Sequence, residues 1–144
     1  MIGIEYACAS DIGMMRKENQ DAFGKFPDRN DDLACPGGQL FVIADGMGGH
    51  KAGREASELA VNILAYYYYE AHGVPAAERL RSAFNGANSH IHSYSVNSVE
   101  HAGMGTTCSV LALTPEGAAI GHVGDSRIYR IRGRKIEQLT ADHS

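Results

Sequence analysis

The sequence predicts an α+β fold, with strands near both ends of the chain and two amphipathic helices between them. Residues 40–44 form an unbroken apolar run that is typical of a strand. From residue 53 onward, apolar residues recur at helical spacing. The last third of the chain alternates short apolar runs with turn residues, which favours antiparallel strands. With 144 residues, the chain has room for one domain and one core.

The first two predicted strands lie at residues 2–10 and 40–44. The second is apolar throughout, and such a run indicates a strand that is covered on both faces. The segment 27–38 between them contains two prolines and a cluster of Asp and Asn, so we expect a loop there.

Two helices are predicted next, from residue 53 to about 71 and from Pro75 to about 99. Gly73 and Pro75 separate them, and these residue types favour a helix end and a helix start, respectively. The four consecutive tyrosines at 66–69 cannot all face the core of one helix. Some of them are therefore expected at the surface or at an interface.

Four strands are predicted in the last third. Residues 107–113 and 118–123 flank a turn with Pro115 and Gly117 at favourable positions. Residues 128–132 and 135–139 flank a second turn around Gly133.

Composition excludes several classes of protein. The formal net charge of −4 argues against a non-specific nucleic-acid binder. No apolar run approaches the roughly 20 residues that span a bilayer, so no membrane association is expected. Cys8, Cys35 and Cys108 form no Cys-x-x-Cys pair. We interpret them as buried thiols in a reducing compartment and expect a cytoplasmic protein.

The most informative motif runs from Phe41 to His50, where an apolar strand ends on Asp45 and enters a run of glycines. A carboxylate at a strand end is held rigidly, and glycine lets a ligand or metal approach the backbone. The alternative is a strand-to-helix turn in which Asp45 caps the next helix. The spacing matches neither a phosphate-binding Walker loop nor a dinucleotide fingerprint, since Lys51 stands where the third glycine would be.

Two further segments combine acids with arginine or small residues. Arg16 lies five residues before Asp21, and such a pair can bind a phosphate together with a metal. The alternative is a surface ion pair. Asp125 follows another apolar strand and is flanked by Gly124 and Ser126. Taken singly, that segment is better explained by a hairpin turn.

These motifs occur in a fixed order, namely Arg16-x-x-x-Gln-Asp21, Ala44-Asp-Gly-Met-Gly-Gly-His50, Gly105-Thr-Thr107, Gly124-Asp-Ser-Arg127 and Leu139-Thr-Ala-Asp-His-Ser144. In order and spacing they resemble the bacterial branch of the type 2C, metal-dependent (PPM) serine/threonine protein phosphatase family. The resemblance runs from about residue 11 to residue 144. It marks residues 1–144 as the N-terminal portion of a single phosphatase 2C-like domain.

The resemblance implies part of a four-layer α-β-β-α sandwich with two antiparallel sheets. It implies that Asp45 bridges two Mn²⁺ or Mg²⁺ ions, with Asp21 and the Gly46 carbonyl serving the second ion. Asp125 would help to hold a weaker third ion. Arg16 would bind the phosphate of a substrate. His50 is a candidate for substrate contact, and a structural role for it is equally open.

The implied reaction is hydrolysis of phosphoserine and phosphothreonine in proteins by a metal-activated water. The partners would be phosphoproteins made by a serine/threonine kinase. Gln20 and Met47 stand where many eukaryotic relatives have a second acid and a proposed general acid, so leaving-group protonation has no assigned residue.

The family's later Asp-Gly and Asp-Asn segments are absent before Ser144. We therefore expect this chain to be weakly active or inactive. We also expect it to self-associate through an unfinished sheet or through the helix that carries residues 66–69. The alternative is a non-catalytic interaction module on the phosphatase scaffold.

Overall fold

A computed structural model describes residues 3–27, 35–49 and 51–143 and confirms an α+β fold. An antiparallel sheet carries two helices on one face, and a separate two-stranded hairpin follows it. The elements in chain order are β1 (Asp21–Phe26), β2 (Gln39–Met47), α1 (Ala52–Glu70), α2 (Ala76–Asn97), a short 3-10 helix (Val99–His101), β3 (Gly105–Thr106), β4 (Cys108–Thr114), β5 (Gly117–Val123), β6 (Tyr129–Arg132) and β7 (Lys135–Gln138).

The sheet order places β2 at the centre. The strands run β1-β2-β4-β5, and β3 pairs with the far end of β2 beyond β4. Every pairing is antiparallel, and the hairpin β6–β7 forms its own small sheet. Because β1 begins where β2 ends, Asp21 lies directly opposite Asp45.

The core lies between the sheet and the helices. Leu40, Val42 and Ala44 of β2 are buried on the face that α1 covers, and Leu64 of α1 is fully buried against them. The predicted helix bounds are confirmed to within about two residues, because the apolar spacing that predicts the helices also forms this core.

The other sheet face, which we call the outer face, carries Phe23 of β1 and Phe41 and Ile43 of β2, and Phe23 lies directly opposite Ile43. Ile43 is 45% exposed and Phe23 is 50% exposed. The prediction that residues 40–44 are covered on both faces is therefore wrong. Successive side chains of a strand point to opposite faces, and the helices cover only one of them.

The predicted first strand at residues 2–10 is also wrong for the described part, since residues 3–10 form no strand. None of the described strands forms a ladder with this segment. Instead, Tyr6 packs edge-on against Phe41 of the outer face, with ring centroids 5.5 Å apart.

The four tyrosines face in different directions, as predicted. Tyr68 is fully buried and donates a hydrogen bond of 2.8 Å to the carbonyl of Gly37. The hydroxyl groups of Tyr67 and Tyr69 also have hydrogen-bond partners. Tyr66 is 62% exposed.

The cysteine prediction holds for one residue of three. Cys108 is buried, and burial raises the pKa of its thiol to about 12. Cys35 is half-buried and Cys8 is exposed, because Cys8 belongs to the segment that lies on the surface of the sheet. In the described ranges, the helices are too short or too polar to cross a lipid bilayer.

Candidate functional site

The site is built from two carboxylates on the outer face, at one end of the central strands. Asp21 is the first residue of β1, and Asp45 lies near the end of β2. They are cross-strand partners, so their side chains project from the same face of the sheet. Both residues line a cleft of about 390 Å³ that Ser126 also borders.

The environment of Asp45 disfavours the negatively charged form of its carboxyl group. Its pKa is raised, first by burial and then by the charge of Asp21, to which a protonated Asp45 can also donate a hydrogen bond. Asp125 raises the pKa further, whereas Arg16 lowers it. Two like charges so close together favour a bound cation, because a cation offsets their repulsion.

Arg16 lies beside the same carboxylates. It lines a neighbouring cleft of about 320 Å³ together with Asp21 and Asp45. Its side chain is exposed, and within the described ranges it forms no ion pair with an acid. The alternative of a surface ion pair between Arg16 and Asp21 is therefore wrong. The guanidinium can instead bind an anionic ligand.

Gly46 is required for packing on the opposite face of β2. A Cβ atom on Gly46 would lie 1.7 Å from the carbonyl oxygen of Gly53 in α1. The amide of Gly46 donates a 3.0 Å hydrogen bond to the carbonyl of Gln20. The side chain of Gln20 fills the space beside Gly53 and donates to the carbonyl of Gly48. These contacts hold the starts of β1 and α1 against the end of β2.

The helix-cap alternative for Asp45 is wrong. Helix α1 has Lys51 as its N-cap residue, with no side-chain hydrogen bond at the cap, and Asp45 is part of β2. The carboxylate of Asp45 is therefore free for other ligands on the outer face.

Asp125 lies in a loop that is hydrogen-bonded to β2 through Thr107. The amide of Asp45 donates to Thr107 Oγ1 at 3.0 Å, and Thr107 Oγ1 lies 2.6 Å from Ser126 Oγ. The hairpin alternative for this segment is wrong, because β5 ends at Val123 and the next strand, β6, pairs with β7 instead.

The last described residues fold back on this loop. Arg127 binds Asp142 through two nitrogens, Nε at 2.9 Å and Nη2 at 2.6 Å from its carboxylate oxygens. This contact lowers the pKa of Asp142. His122 bridges Ser109 and the carbonyl of Ala141 through its two ring nitrogens.

The structure thus brings together most of the residues that the sequence singles out. Asp21, Asp45 and Arg16 converge, and Asp125 is close enough to affect the pKa of Asp45. His50 lies outside the described residues. Among residues 3–27, 35–49 and 51–143, no three His, Cys, Asp or Glu side chains lie together closely enough to hold a metal ion.

The available donors fit a hard divalent cation. The pair Asp21 and Asp45 offers carboxylate oxygens, and the carbonyl of Gly46 is close by in sequence. Mg²⁺ is commonly bound through one or two carboxylates while it keeps several waters. Zinc requires a fuller set of nitrogen and sulfur ligands, and the described residues offer no group of three such donors here.

Sequence reasoning did not assign roles to Thr107 and Ser126. Both lie in motifs that the sequence does show, Gly105-Thr-Thr107 and Gly124-Asp-Ser-Arg127. A hydroxyl residue next to a predicted site acid is the signal that could have identified Ser126. Thr107 could be recognised only from the pairing of strands that are distant in sequence.

Comparison with known proteins provides a family assignment. The family model described as protein phosphatase 2C matches residues 16–144. Protein phosphatase PhpP of Streptococcus pneumoniae is 37% identical over 145 residues, which cover 98% of this chain and 56% of the streptococcal protein.

Solved structures give the same result. The crystal structure of the serine/threonine phosphatase PstP/Ppp of Mycobacterium tuberculosis superposes with a TM-score of 0.81 at 32% identity, covering 98% of this chain and 55% of that one. The catalytic domain of PstP in complex with two manganese ions gives a TM-score of 0.79 at 33% identity, covering 96% and 55% of the two chains. The predicted fold class, part of the phosphatase 2C-like sandwich, is confirmed. The chain spans about half the length of these relatives.

Proposed function

The chain belongs to the protein phosphatase 2C family, and we propose that it serves metal-dependent hydrolysis of phosphoserine and phosphothreonine in proteins. The observation that carries this proposal is the cross-strand pair Asp21 and Asp45 with Arg16 beside it. We further propose that residues 1–144 form the N-terminal portion of one phosphatase 2C-like domain, since relatives are matched over about half their length.

Under this proposal, Asp45 would serve as a ligand of two Mn²⁺ or Mg²⁺ ions, and Asp21 and the Gly46 carbonyl would serve one of them. Asp125 would contribute to a third. The manganese-containing PstP structure supports this choice of cation. Such cations, when bound, lower the pKa of water towards neutrality and offset the charge of a phosphate group.

The protein's own groups orient the substrate. The guanidinium of Arg16 can donate two parallel hydrogen bonds to oxygens of a phosphate monoester. Its position in one cleft with Asp21 and Asp45 supports a role in binding that phosphate near the carboxylates. Arg16 also stabilises the negative charge that develops on the phosphate oxygens during transfer to water.

Manganese-dependent phosphate release from a phosphothreonine peptide tests the proposal. We expect release with Mn²⁺ and none after EDTA treatment. Turnover should be slow, because only two carboxylates converge among the described residues. Release that continues in EDTA would contradict the proposed mechanism. Isothermal titration with Mn²⁺ alone measures the cation site independently of turnover.

The shortage of converging acids in the described ranges favours one alternative, a non-catalytic module that binds phosphoproteins on the same scaffold. In that case a phosphothreonine peptide would bind, and substitution of Arg16 would weaken its binding, but no phosphate would be released at any Mn²⁺ concentration. A fluorescent peptide measured by anisotropy distinguishes these outcomes.

Self-association remains a prediction, and the exposed apolar side chains of the outer face support it. Phe23 and Ile43 lie there, and Ile131 and Ile136 of the hairpin are 73% and 68% exposed. We expect light scattering to show a dimer or larger species that Phe23→Glu dissociates. If Tyr66→Glu dissociates it instead, the helix surface forms the interface. A wild-type monomer at all concentrations would contradict the prediction.

A further inference from the structure

Thr107 is the residue that holds the backbone of Asp45. It is buried, with 5% of its surface exposed. Its hydroxyl accepts a hydrogen bond from the Asp45 amide at 3.0 Å, and its own amide donates to the Asp45 carbonyl at 2.9 Å. Both polar groups of the Asp45 backbone are therefore bonded to one residue, and the orientation of Asp45 depends on where Thr107 lies.

The same hydroxyl contacts the loop that carries Asp125. Thr107 Oγ1 and Ser126 Oγ are 2.6 Å apart, and either can be the donor. Gly124 passes closely over Thr107 with a φ of +99°, and a Cβ atom there would lie 2.6 Å from Thr107 Cγ2. The loop thus packs directly against the Thr107 side chain, and this contact restricts movement of the loop relative to β2.

A second set of contacts fixes the other side of the loop. Arg127 is bound to Asp142, and the backbone of Gly124 is bonded to the backbone and ring of His143. These contacts connect the loop only to the last described residues. Ser126 has no other hydrogen-bond partner in the described ranges, so the Thr107 hydroxyl is its connection to the strand that carries Asp45.

We propose that Thr107 is a positioning residue, whose hydroxyl couples β2 to the Asp125 loop and so sets the spacing of Asp45 and Asp125 for divalent cations. This inference rests on the proposed function. The contacts of Thr107 are with the backbone of Asp45 and with Ser126, so it would act through these groups rather than as a ligand. Groups that orient metal ligands in this way typically change metal affinity by about 10–100-fold when they are removed.

Three substitutions separate the hydroxyl from the rest of the side chain. Thr107→Val keeps the shape but leaves the Asp45 amide without its acceptor, whereas Thr107→Ser keeps the hydroxyl. Ser126→Ala removes only the contact to the loop. Thr114→Val is a matched control, because Thr107 directly precedes β4 and Thr114 is its last residue, where the Thr114 hydroxyl donates to the Gly117 carbonyl at 3.1 Å.

The test is Mn²⁺ affinity of the chain by isothermal titration, with thermal unfolding recorded for each variant. We expect Thr107→Val and Ser126→Ala to weaken Mn²⁺ binding by about 10–100-fold. Thr107→Ser and Thr114→Val should bind like the wild type. The double variant Thr107→Val/Ser126→Ala should lose no more than Thr107→Val alone, because the two hydroxyls form one connection.

A measurement without metal provides a second readout. Exchange of the Asp45 amide proton with solvent should accelerate in Thr107→Val and stay near the wild-type rate in Thr107→Ser, because only the valine lacks an acceptor. If Thr107→Val does not fold, Ser126→Ala decides the question, since it leaves the backbone bonds of β2 intact.

The outcomes distinguish this inference from the proposed function. Wild-type affinity in both Thr107→Val and Ser126→Ala, together with loss of binding in Asp45→Asn, would overturn the role of Thr107 and leave the cation site standing. A wild-type chain that binds no Mn²⁺ would overturn both. Equal weakening by Thr107→Val and Thr107→Ser would also overturn the inference, because the hydroxyl would then not matter.

Discussion

Asp45→Asn is expected to abolish Mn²⁺-dependent phosphate release and to weaken Mn²⁺ binding by more than about 100-fold. The amide keeps the size of the side chain but removes the charge that two cations would share. The expected loss exceeds the 10–100-fold typical of groups that only orient a ligand, because Asp45 itself would be the bridging ligand. Isothermal titration and phosphate release measure the two effects.

The same substitution should stabilise the chain in the absence of metal. The pKa of Asp45 is raised above its usual value of 3.8, so the folded chain holds this proton more tightly than the unfolded chain does. Stability is therefore lost as the pH rises from that value through the raised pKa of Asp45. Asn carries no charge and avoids this loss, so its advantage should be present at neutral pH and absent at low pH.

Thermal unfolding in EDTA at neutral and acidic pH checks this sign. Asp11→Asn is a suitable control, because Asp11 is an exposed acid that lines the same cleft but does not contribute to the raised pKa of Asp45. An Asp45→Asn chain that is less stable than the wild type at neutral pH without metal would contradict the charge repulsion argued for Asp21 and Asp45. Full Mn²⁺-dependent turnover in that variant would contradict the bridging role.

Gly46→Ala is expected to destabilise the fold by about 3 kcal/mol or more, at the upper end of the range for overpacking. The added methyl group would lie 1.7 Å from the carbonyl oxygen of Gly53, and both groups belong to backbones that are fixed in β2 and α1. Relief of this clash requires α1 to move away from the sheet. That movement would also disturb the Asp45 side chain on the opposite face.

Gly49→Ala is the matched control for this substitution. It lies in the same glycine-rich stretch, but an added Cβ atom has no neighbour within 4 Å. Urea unfolding should show little change for Gly49→Ala and a large loss for Gly46→Ala. Similar losses in both variants would show that the flexibility of the stretch, rather than the contact with Gly53, decides the stability.

Local pattern predicted the helices well and the first strand poorly. The apolar residues of α1 are spaced so that they form the face that packs on β2. The pattern seen in the sequence is therefore the same as the pattern of burial in the core. Residues 3–10 have a strand-like composition, but a strand also needs a partner, and the described strands supply none. The apolar run 40–44 shows a similar limit, because it does not reveal how many faces have a neighbour.

The site likewise combines residues that local sequence reveals with residues whose role depends on distant parts of the chain. Asp21, Asp45 and Arg16 are recognisable because acids and an arginine stand in ordered motifs at strand ends. The role of Thr107 depends on β2, β4 and the loop after β5 meeting in one register, which no short pattern contains. The close approach of helix α1 to Gly46 was likewise not predicted, because it depends on where Gly53 lies in the folded chain.

Successive side chains of β2 point to opposite faces of the sheet, so the site is sensitive to the register between β1 and β2. Asp45 and Gly46 are neighbours in sequence, yet one faces the cleft and the other faces α1. A slip of β1 by two residues along β2 would keep Asp21 on the correct face while moving it away from Asp45. A slip by one residue would point the Asp21 side chain towards the face that the helices cover. An insertion within either strand would therefore separate the acids.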